Sequence, residues 1–174
     1  MRIIAGRWKG HGLKTLKGRN VRPTTDRVRE AWMSALGQRI VGATVLDLFA
    51  GSGALGLEAL SRGASSVVLV ERSRGALRVI ADNVERLGAG DGCRVVSDDA
   101  FRFLARLDEP FDVALADPPY GTGSAARLVE LFGSDPFANE LWLEHPSRES
   151  LPLPDGARTR RYGDTALTTL TRDR

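Results

Sequence analysis

From residue 44 onward, short runs rich in β-branched residues alternate with stretches of helical period, and few folds accommodate that rhythm. TVLDLF (44–49), SVVLVE (66–71), CRVVS (93–97), FDVALA (111–116) and ELWLEH (140–145) read as strands. Between them, 54–62, 73–87, about 99–107 and 124–132 read as helices, with Gly63 and Gly88 as stops. On the longest of these, Leu77, Ile80, Ala81, Val84 and Leu87 are expected to form the buried face. Near-continuously apolar strands joined by helices imply a parallel sheet covered on both sides. The end of the chain departs from the pattern: RTRRY (158–162), Gly163-Asp164 and TALTTLT (165–171) predict a hairpin, hence antiparallel strands at one edge. The expectation is a doubly wound, mostly parallel α/β sheet of seven strands. With 174 residues, the chain suits one domain of this kind.

Before that rhythm begins, the charge is lopsided. Residues 1–39 hold ten Lys or Arg against two acids, a surplus of eight, whereas the whole chain carries only +3. A basic leading segment on an acidic body points to a polyanion partner, because neutralising phosphates releases condensed counterions. Residues 1–25 are read as a basic arm or hairpin, and 26–174 as the main domain. From Asp26, the residues Val28, Ala31, Trp32, Ala35 and Leu36 recur at helical spacing and Gly37 stops them. This predicts a helix whose apolar stripe packs on the body while Arg27, Arg29 and Glu30 face solvent or ligand. No run approaches the roughly 18 apolar residues of a membrane span, and MRIIAGRWKG lacks the apolar core of a leader. A soluble, cytoplasmic protein is expected. The single Cys93 excludes an internal disulfide, and no His or Cys cluster suggests a metal.

In a doubly wound sheet, ligands sit beyond the carboxyl ends of the strands. The first such end is VLDLFAGSGALG (45–56), where Asp47 precedes Gly51, Gly53 and Gly56. That spacing permits a tight turn and close backbone approach, and it fits a dinucleotide fingerprint equally well. Glu71 closes the second strand, where an acceptor-only carboxylate suits the hydroxyls of a ribose. After the third strand, Asp98 or Asp99 could accept from an adenine amino group beside Phe101, or could simply cap a helix. The fourth end, Asp117-Pro118-Pro119-Tyr120, is the most specific. Two prolines stop the strand and stiffen the turn, presenting the Asp117 carboxylate and the Pro118 carbonyl next to an aromatic ring. Such a corner suits a planar group bearing an NH₂: acceptors for its hydrogens and a ring for its face.

These motifs resemble those of class I S-adenosylmethionine-dependent methyltransferases, which have a Rossmann-like fold, and DPPY resembles the amino-methylating branch. RIIAGRWKGHGL, RPTTDRVREAWMSAL and YGDTALTTL narrow the resemblance to the RsmD-like family of 16S rRNA guanine-N2 methyltransferases, over nearly the whole chain. The resemblance implies that Asp47, Phe49, Gly51, Ser52 and Gly53 hold the methionine moiety of S-adenosylmethionine. Glu71, with Arg72 beside it, would take the ribose, and Asp99, Ala100 and Phe101 the adenine. Asp117, Pro118, Pro119 and Tyr120 would hold the target base. Thr24 to Arg29, Thr25 included, would cover the cofactor and meet RNA. Arg2, Arg7, Lys9, Lys14, Arg22, Arg27 and Arg29 would grip 16S rRNA, within a 30S subunit or an assembly intermediate, with no membrane or metal involved.

Several rival readings compete, among them a noncatalytic RNA-binding domain on a degenerate methyltransferase fold, against which the intact acids at all four strand ends argue. An NAD-binding oxidoreductase would explain the glycines and leave DPPY and the basic segment without a task. A methyltransferase acting on the amino groups of DNA or another RNA would keep the proline corner, but little of the chain lies outside the body to serve as an extended sequence reader. A carbon-methylating enzyme would need a nucleophilic cysteine at the site, whereas Cys93 falls at the start of a strand, at the opposite end from the ligands. His11 is read as a surface group or a phosphate contact and His145 as structural or crevice-lining, and the Arg158, Arg160, Arg161 cluster as either an extension of the RNA surface or a solvated edge strand.

Overall fold

The computed structural model describes residues 1–16 and 26–172. Helix α1 spans Asp26–Leu36 and runs into a 3₁₀ turn, Gly37–Ile40. There follow β1 (Thr44–Leu48), α2 (Ala54–Ser61), β2 (Ser66–Glu71), α3 (Arg74–Leu87), β3 (Cys93–Ser97), α4 (Ala100–Leu104), β4 (Phe111–Ala116), α5 (Ser124–Ser134), β5 (Ala138–Pro146), β6 (Arg158–Tyr162) and β7 (Thr165–Thr171). The seven strands form one sheet of order β3-β2-β1-β4-β5-β7-β6. β1 to β5 pair in parallel, and β7 pairs antiparallel with both β5 and β6. The expected doubly wound sheet with an antiparallel edge is therefore observed. From β1 the chain builds outward through β2 to β3, then crosses to β4 on the other side of β1. That reversal opens a crevice beyond the carboxyl ends of β1 and β4.

Side chains alternate across the sheet. Val45, Val113 and Leu115 join the core under α1, α2 and α3, while Leu46, Leu48, Ala114 and Ala116 join the core under α4 and α5. Among the described residues, no helix is long and apolar enough to cross a membrane.

The amino-terminal residues close into a small hairpin, with an antiparallel bridge between Arg2 and Gly12. It is docked rather than free. Ile3, Trp8 and Leu13 are buried in the core. The Glu58 carboxylate of α2 accepts the backbone N–H groups of Ile4 (2.8 Å) and Ala5 (3.0 Å). Ser61 accepts from Arg7 N–H through its carbonyl (2.7 Å) and from Trp8 N–H through its hydroxyl (3.0 Å). Gly6 makes this approach feasible: its φ is +84°, and a Cβ there would fall 1.9 Å from the Ser61 carbonyl oxygen.

Two expected faces need correction. On α1, Arg29 does not face solvent; it is 0% exposed. Its Nη2 donates to the Arg2 carbonyl and to Asp26 (3.0 Å), and its Nε lies 3.8 Å from Glu58. The hairpin covers this side of the helix, so Arg29 clamps the hairpin and cannot reach phosphate. The buried stripe is Val28, Arg29, Trp32, Met33 and Leu36, with Ala31 and Ala35 only half-buried. On α3, the buried residues are Ala76, Ile80, Asn83 and Leu87, whereas Ala81 is exposed. Asn83 can be buried because both ends of its amide are bonded: Nδ2 donates to the carbonyls of Ser52 and Lys14 (both 3.0 Å), and Oδ1 accepts from Lys14 N–H (2.7 Å).

Candidate active site

A cavity of about 700 Å³ opens beyond the carboxyl ends of the parallel strands. Every one of the five strand ends reaches it. Phe49 and Gly51 follow β1, and Val70 and Glu71 close β2. Asp98, Asp99 and Ala100 follow β3, Asp117 to Tyr120 follow β4, and Glu144 comes from β5. The glycine bend and the proline corner thus face one common space. Leu16, Arg72, Ser73 and Ala76 complete its wall.

The bend after β1 is held from two sides. Phe49 ends the strand one residue earlier than expected by taking a positive φ of 59°, a rare conformation for an aromatic residue and costly by about 1–3 kcal/mol. Gly51 N–H donates to Glu71 Oε2 (2.8 Å), while Glu71 Oε1 accepts from Arg72 N–H (2.9 Å) and Ser73 N–H (2.8 Å). Glu71 therefore joins the β1 and β2 loops and spends three of its four lone-pair sites on backbone. A diol that donates here must share the Glu71 oxygens with those backbone N–H groups.

Asp47 does not line the cavity. It is 1% exposed, and its Oδ2 accepts Gly56 N–H at 2.9 Å. Burial, aided by the charges of Asp117 and Glu71 and opposed by the Gly56 hydrogen bond, pushes its carboxyl up to about 8. Gly56 is required for this closeness, since a Cβ there would stand 2.3 Å from Leu69 Cδ2 and 3.1 Å from Asp47 Oδ2. Gly53 caps α2 with a left-handed φ of 79°, and the Ser52 carbonyl is taken by Asn83. Asp47, Ser52 and Gly53 thus shape the bend, whereas Phe49 and Gly51 face the space it encloses.

At the third end the two acids divide their tasks. Asp99 caps α4, its Oδ1 accepting from Phe101 N–H (3.0 Å) and Arg102 N–H (3.2 Å), while its Oδ2 lies 3.6 Å from Arg72 Nη1. Asp98 is nearly buried and accepts from Arg102 Nε (2.6 Å) and from Arg106. Burial raises the Asp98 carboxyl, but hydrogen bonds from Arg102 and Asp99 N–H and the charges of Arg102 and Arg106 outweigh it, and its pKa is lowered. Phe101 stacks edge-on to Phe49 with centroids 6.1 Å apart, and Arg127 lies over its ring at 3.9 Å. Its ring supports the wall that Phe49 provides.

The proline corner ends in Tyr120, whose hydroxyl lies 3.1 Å from Thr165 Oγ1 and 3.5 Å from Glu144 Oε1. Glu144 is a site residue that the motifs alone do not single out, although ELWLEH is the next parallel strand in the same rhythm and a carboxylate stands at its end.

Outside the cavity, Arg2, Arg7, Lys9 and Lys14 are exposed on the docked amino-terminal segment and Arg27 on α1; Lys14 pairs with Asp82 at 2.6 Å. Arg22, Thr24 and Thr25 lie outside the described residues. Cys93 begins β3, and burial pushes its thiol up to about 11, which suits an inert apolar role. His145 is buried, donating through Nδ1–H to the Pro146 carbonyl (3.0 Å) and accepting at Nε2 from Thr168 (2.8 Å). Desolvation lowers its pKa, and its role is structural. Arg158, Arg160 and Arg161 are exposed on the edge strand β6.

A switched, mostly parallel sheet with an antiparallel β7 and a cavity at its strand ends defines a Rossmann-like methyltransferase fold. A model of the family described as Conserved hypothetical protein 95 matches residues 1–171, and the chain belongs to that family as an RsmD-like methyltransferase. It is 44% identical, over 155 residues, to the ribosomal RNA small subunit methyltransferase D of Escherichia coli K12, covering 87% of this chain and 78% of that protein. The solved structure of a hypothetical protein from Thermus thermophilus superposes with a TM-score of 0.86 at 35% identity, over 98% of this chain and 99% of that one. At 16% identity and a TM-score of 0.66, covering 86% of this chain and 93% of that one, an RNA methyltransferase from Salinibacter ruber in complex with S-adenosyl-L-homocysteine shares the fold. The oxidoreductase alternative gives way to the family.

Proposed function

We propose that this protein transfers a methyl group from S-adenosylmethionine to the exocyclic N2 amine of a guanine in 16S rRNA, in a 30S subunit or an assembly intermediate. The observation that carries the proposal is the common cavity shared by the Phe49–Gly51 bend and the Asp117–Tyr120 corner. The name of the Escherichia coli relative supports the RNA substrate, and such a substrate places the reaction in the cytoplasm.

The residues fit the cofactor. Carboxylates from the ends of β2 and β3 line the cavity, an environment that favours a sulfonium cation. Glu71 and Ser73 offer polar groups to a ribose, and Phe49 with Ala100 gives apolar walls to a purine. When bound, S-adenosylmethionine supplies an electrophilic methyl group.

The chain's own residues orient the amine. A guanine N2 lone pair is delocalised into the ring, so it must be aimed and made electron-rich. Accepting its hydrogens at the Asp117 carboxylate and the Pro118 carbonyl does both, and Asp117 takes the proton that the methylated nitrogen sheds. Tyr120, tethered through its hydroxyl, presents a fixed ring for stacking. A cavity this recessed admits a base only when it is unpaired or extruded from its helix. Arg2, Arg7, Lys9, Lys14 and Arg27 hold the flanking phosphates, while Arg29 keeps their platform in place.

The test is label transfer from a tritiated methyl donor to undermethylated small-subunit particles, with the product mapped by mass spectrometry. Wild-type protein labels a guanine N2, and Asp117→Ala reduces transfer at least 100-fold, the range of a lost general base or a lost charge-stabilising group, with cofactor affinity near normal by calorimetry. Full turnover in that variant, or label on another atom, overturns the proposal.

A further inference from the structure

The cavity holds one carboxylate to which the reaction above gives no task. Glu144 is 3% exposed and lines the cavity. β4 and β5 are parallel with Ala116 opposite Leu143, so the next step up the ladder sets Glu144 beside Asp117, on strands roughly 4.8 Å apart and on the same face of the sheet. The Tyr120 hydroxyl, 3.5 Å from Glu144 Oε1, links this carboxylate to the ring that faces the base. Two carboxylates thus stand side by side where the proposed function places the target nucleobase.

With both groups ionised, adjacent carboxylates accept hydrogen bonds and donate none, so the pair selects an edge with two adjacent donors. Guanine alone among the four bases has one, in N1–H and N2–H₂. Adenine and cytosine each set an amino group beside a ring nitrogen with a bare lone pair, and uracil flanks its N3–H with carbonyls. The proline corner by itself accepts any exocyclic amine. Resting on the guanine-N2 reading above, we infer that Glu144 accepts guanine N1–H and is the specificity-determining residue that makes this site choose guanine over adenine and cytosine. Against adenine, the Glu144 carboxylate meets the N1 lone pair, and that desolvated mismatch rejects the base.

The test uses wild type and Glu144→Gln on small-subunit particles reconstituted with guanosine or 2-aminopurine riboside at the mapped target nucleotide. Both purines carry the N2 amine, but 2-aminopurine has a lone pair in place of N1–H. Wild type prefers guanosine by roughly 10- to 100-fold in kcat/KM. In Glu144→Gln the amide NH₂ can turn toward that lone pair, and the preference falls to within about 3-fold, with cofactor affinity and melting temperature unchanged. An equal guanosine preference in both enzymes overturns the assignment. If Glu144→Gln fails to fold, wild type decides alone: equal rates on the two purines overturn it. Absence of N2 label on guanosine in wild type is a different failure, that of the underlying function.

Discussion

Replacing Glu58 by alanine should loosen the amino-terminal hairpin and lower stability sharply. The carboxylate is 0% exposed and serves four partners: Ile4 N–H, Ala5 N–H, Arg62 Nε at 2.8 Å and Arg29 Nε at 3.8 Å. Arg29 is the expensive one. Desolvation already lowers its pKa, and among the described residues neither Nε nor Nη1 has a hydrogen bond, so the charges of Asp26 and then Glu58 supply its compensation. Removing one member of a buried ion pair costs about 3–5 kcal/mol. Because Arg29 Nη2 keeps Asp26 and the Arg2 carbonyl, the lower half of that range is expected for the charge, with the two orphaned amides making up the rest. Undocking the hairpin is no cheaper, since exposing Ile3, Trp8 and Leu13 costs about 1.5–3 kcal/mol each. At about 2–4 °C per kcal/mol for a chain of this size, the melting temperature should fall by roughly 6–20 °C. Limited trypsin digestion should open the Arg7 and Lys9 sites before global unfolding. The double variant Arg29→Met/Glu58→Leu removes both charges and should recover the share due to Arg29. A Glu58→Ala melt within about 2 °C of wild type with Arg7 and Lys9 still protected, or a double variant as unstable as the single one, would refute the buried-charge account.

Gly6→Ala attacks the same junction sterically: the new Cβ meets the Ser61 carbonyl, so the hairpin should detach and RNA affinity fall in a filter-binding assay while cofactor affinity holds. Lys9→Ala should lower the slope of log K against log salt for RNA binding by about 0.7–0.9 if Lys9 neutralises one phosphate; an unchanged slope removes it from the interface. Asp47 gives a pH signature. Its folded pKa of about 8 lies above the unfolded value, so the folded state binds the extra proton and the Asp47 contribution to stability is fully present below about pH 4. That contribution is then lost as pH rises from about 4 through 8. Asp47→Asn should flatten that slope in denaturant titrations at several pH values, and a slope identical to wild type would show that Asp47 ionises normally in the fold.

The fold and most of the cavity were legible because they rest on rules that act locally. Near-continuous apolar runs rich in β-branched residues placed β1 to β4 within a residue, and the switch-point rule put Glu71, Asp99 and Asp117 at one mouth. What sequence patterns concealed is of a single kind. Arg29, Glu58, Ser61 and Asn83 are polar, and a reading by hydropathy sends each to the surface, yet all four are buried and all four bond the amino-terminal segment. A polar residue enters a core when backbone groups from a distant stretch of chain satisfy it, and the separations here run from 27 to 69 residues. Polar side chains suit the task because the docked segment, a hairpin with few strand pairs, brings many unpaired amides and carbonyls with it. An apolar seam would bury those groups unsatisfied. The burial of these residues and the exposure of Arg2, Arg7 and Lys9 are therefore two sides of one arrangement: polar anchors beneath hold the basic face above at a fixed place on the domain.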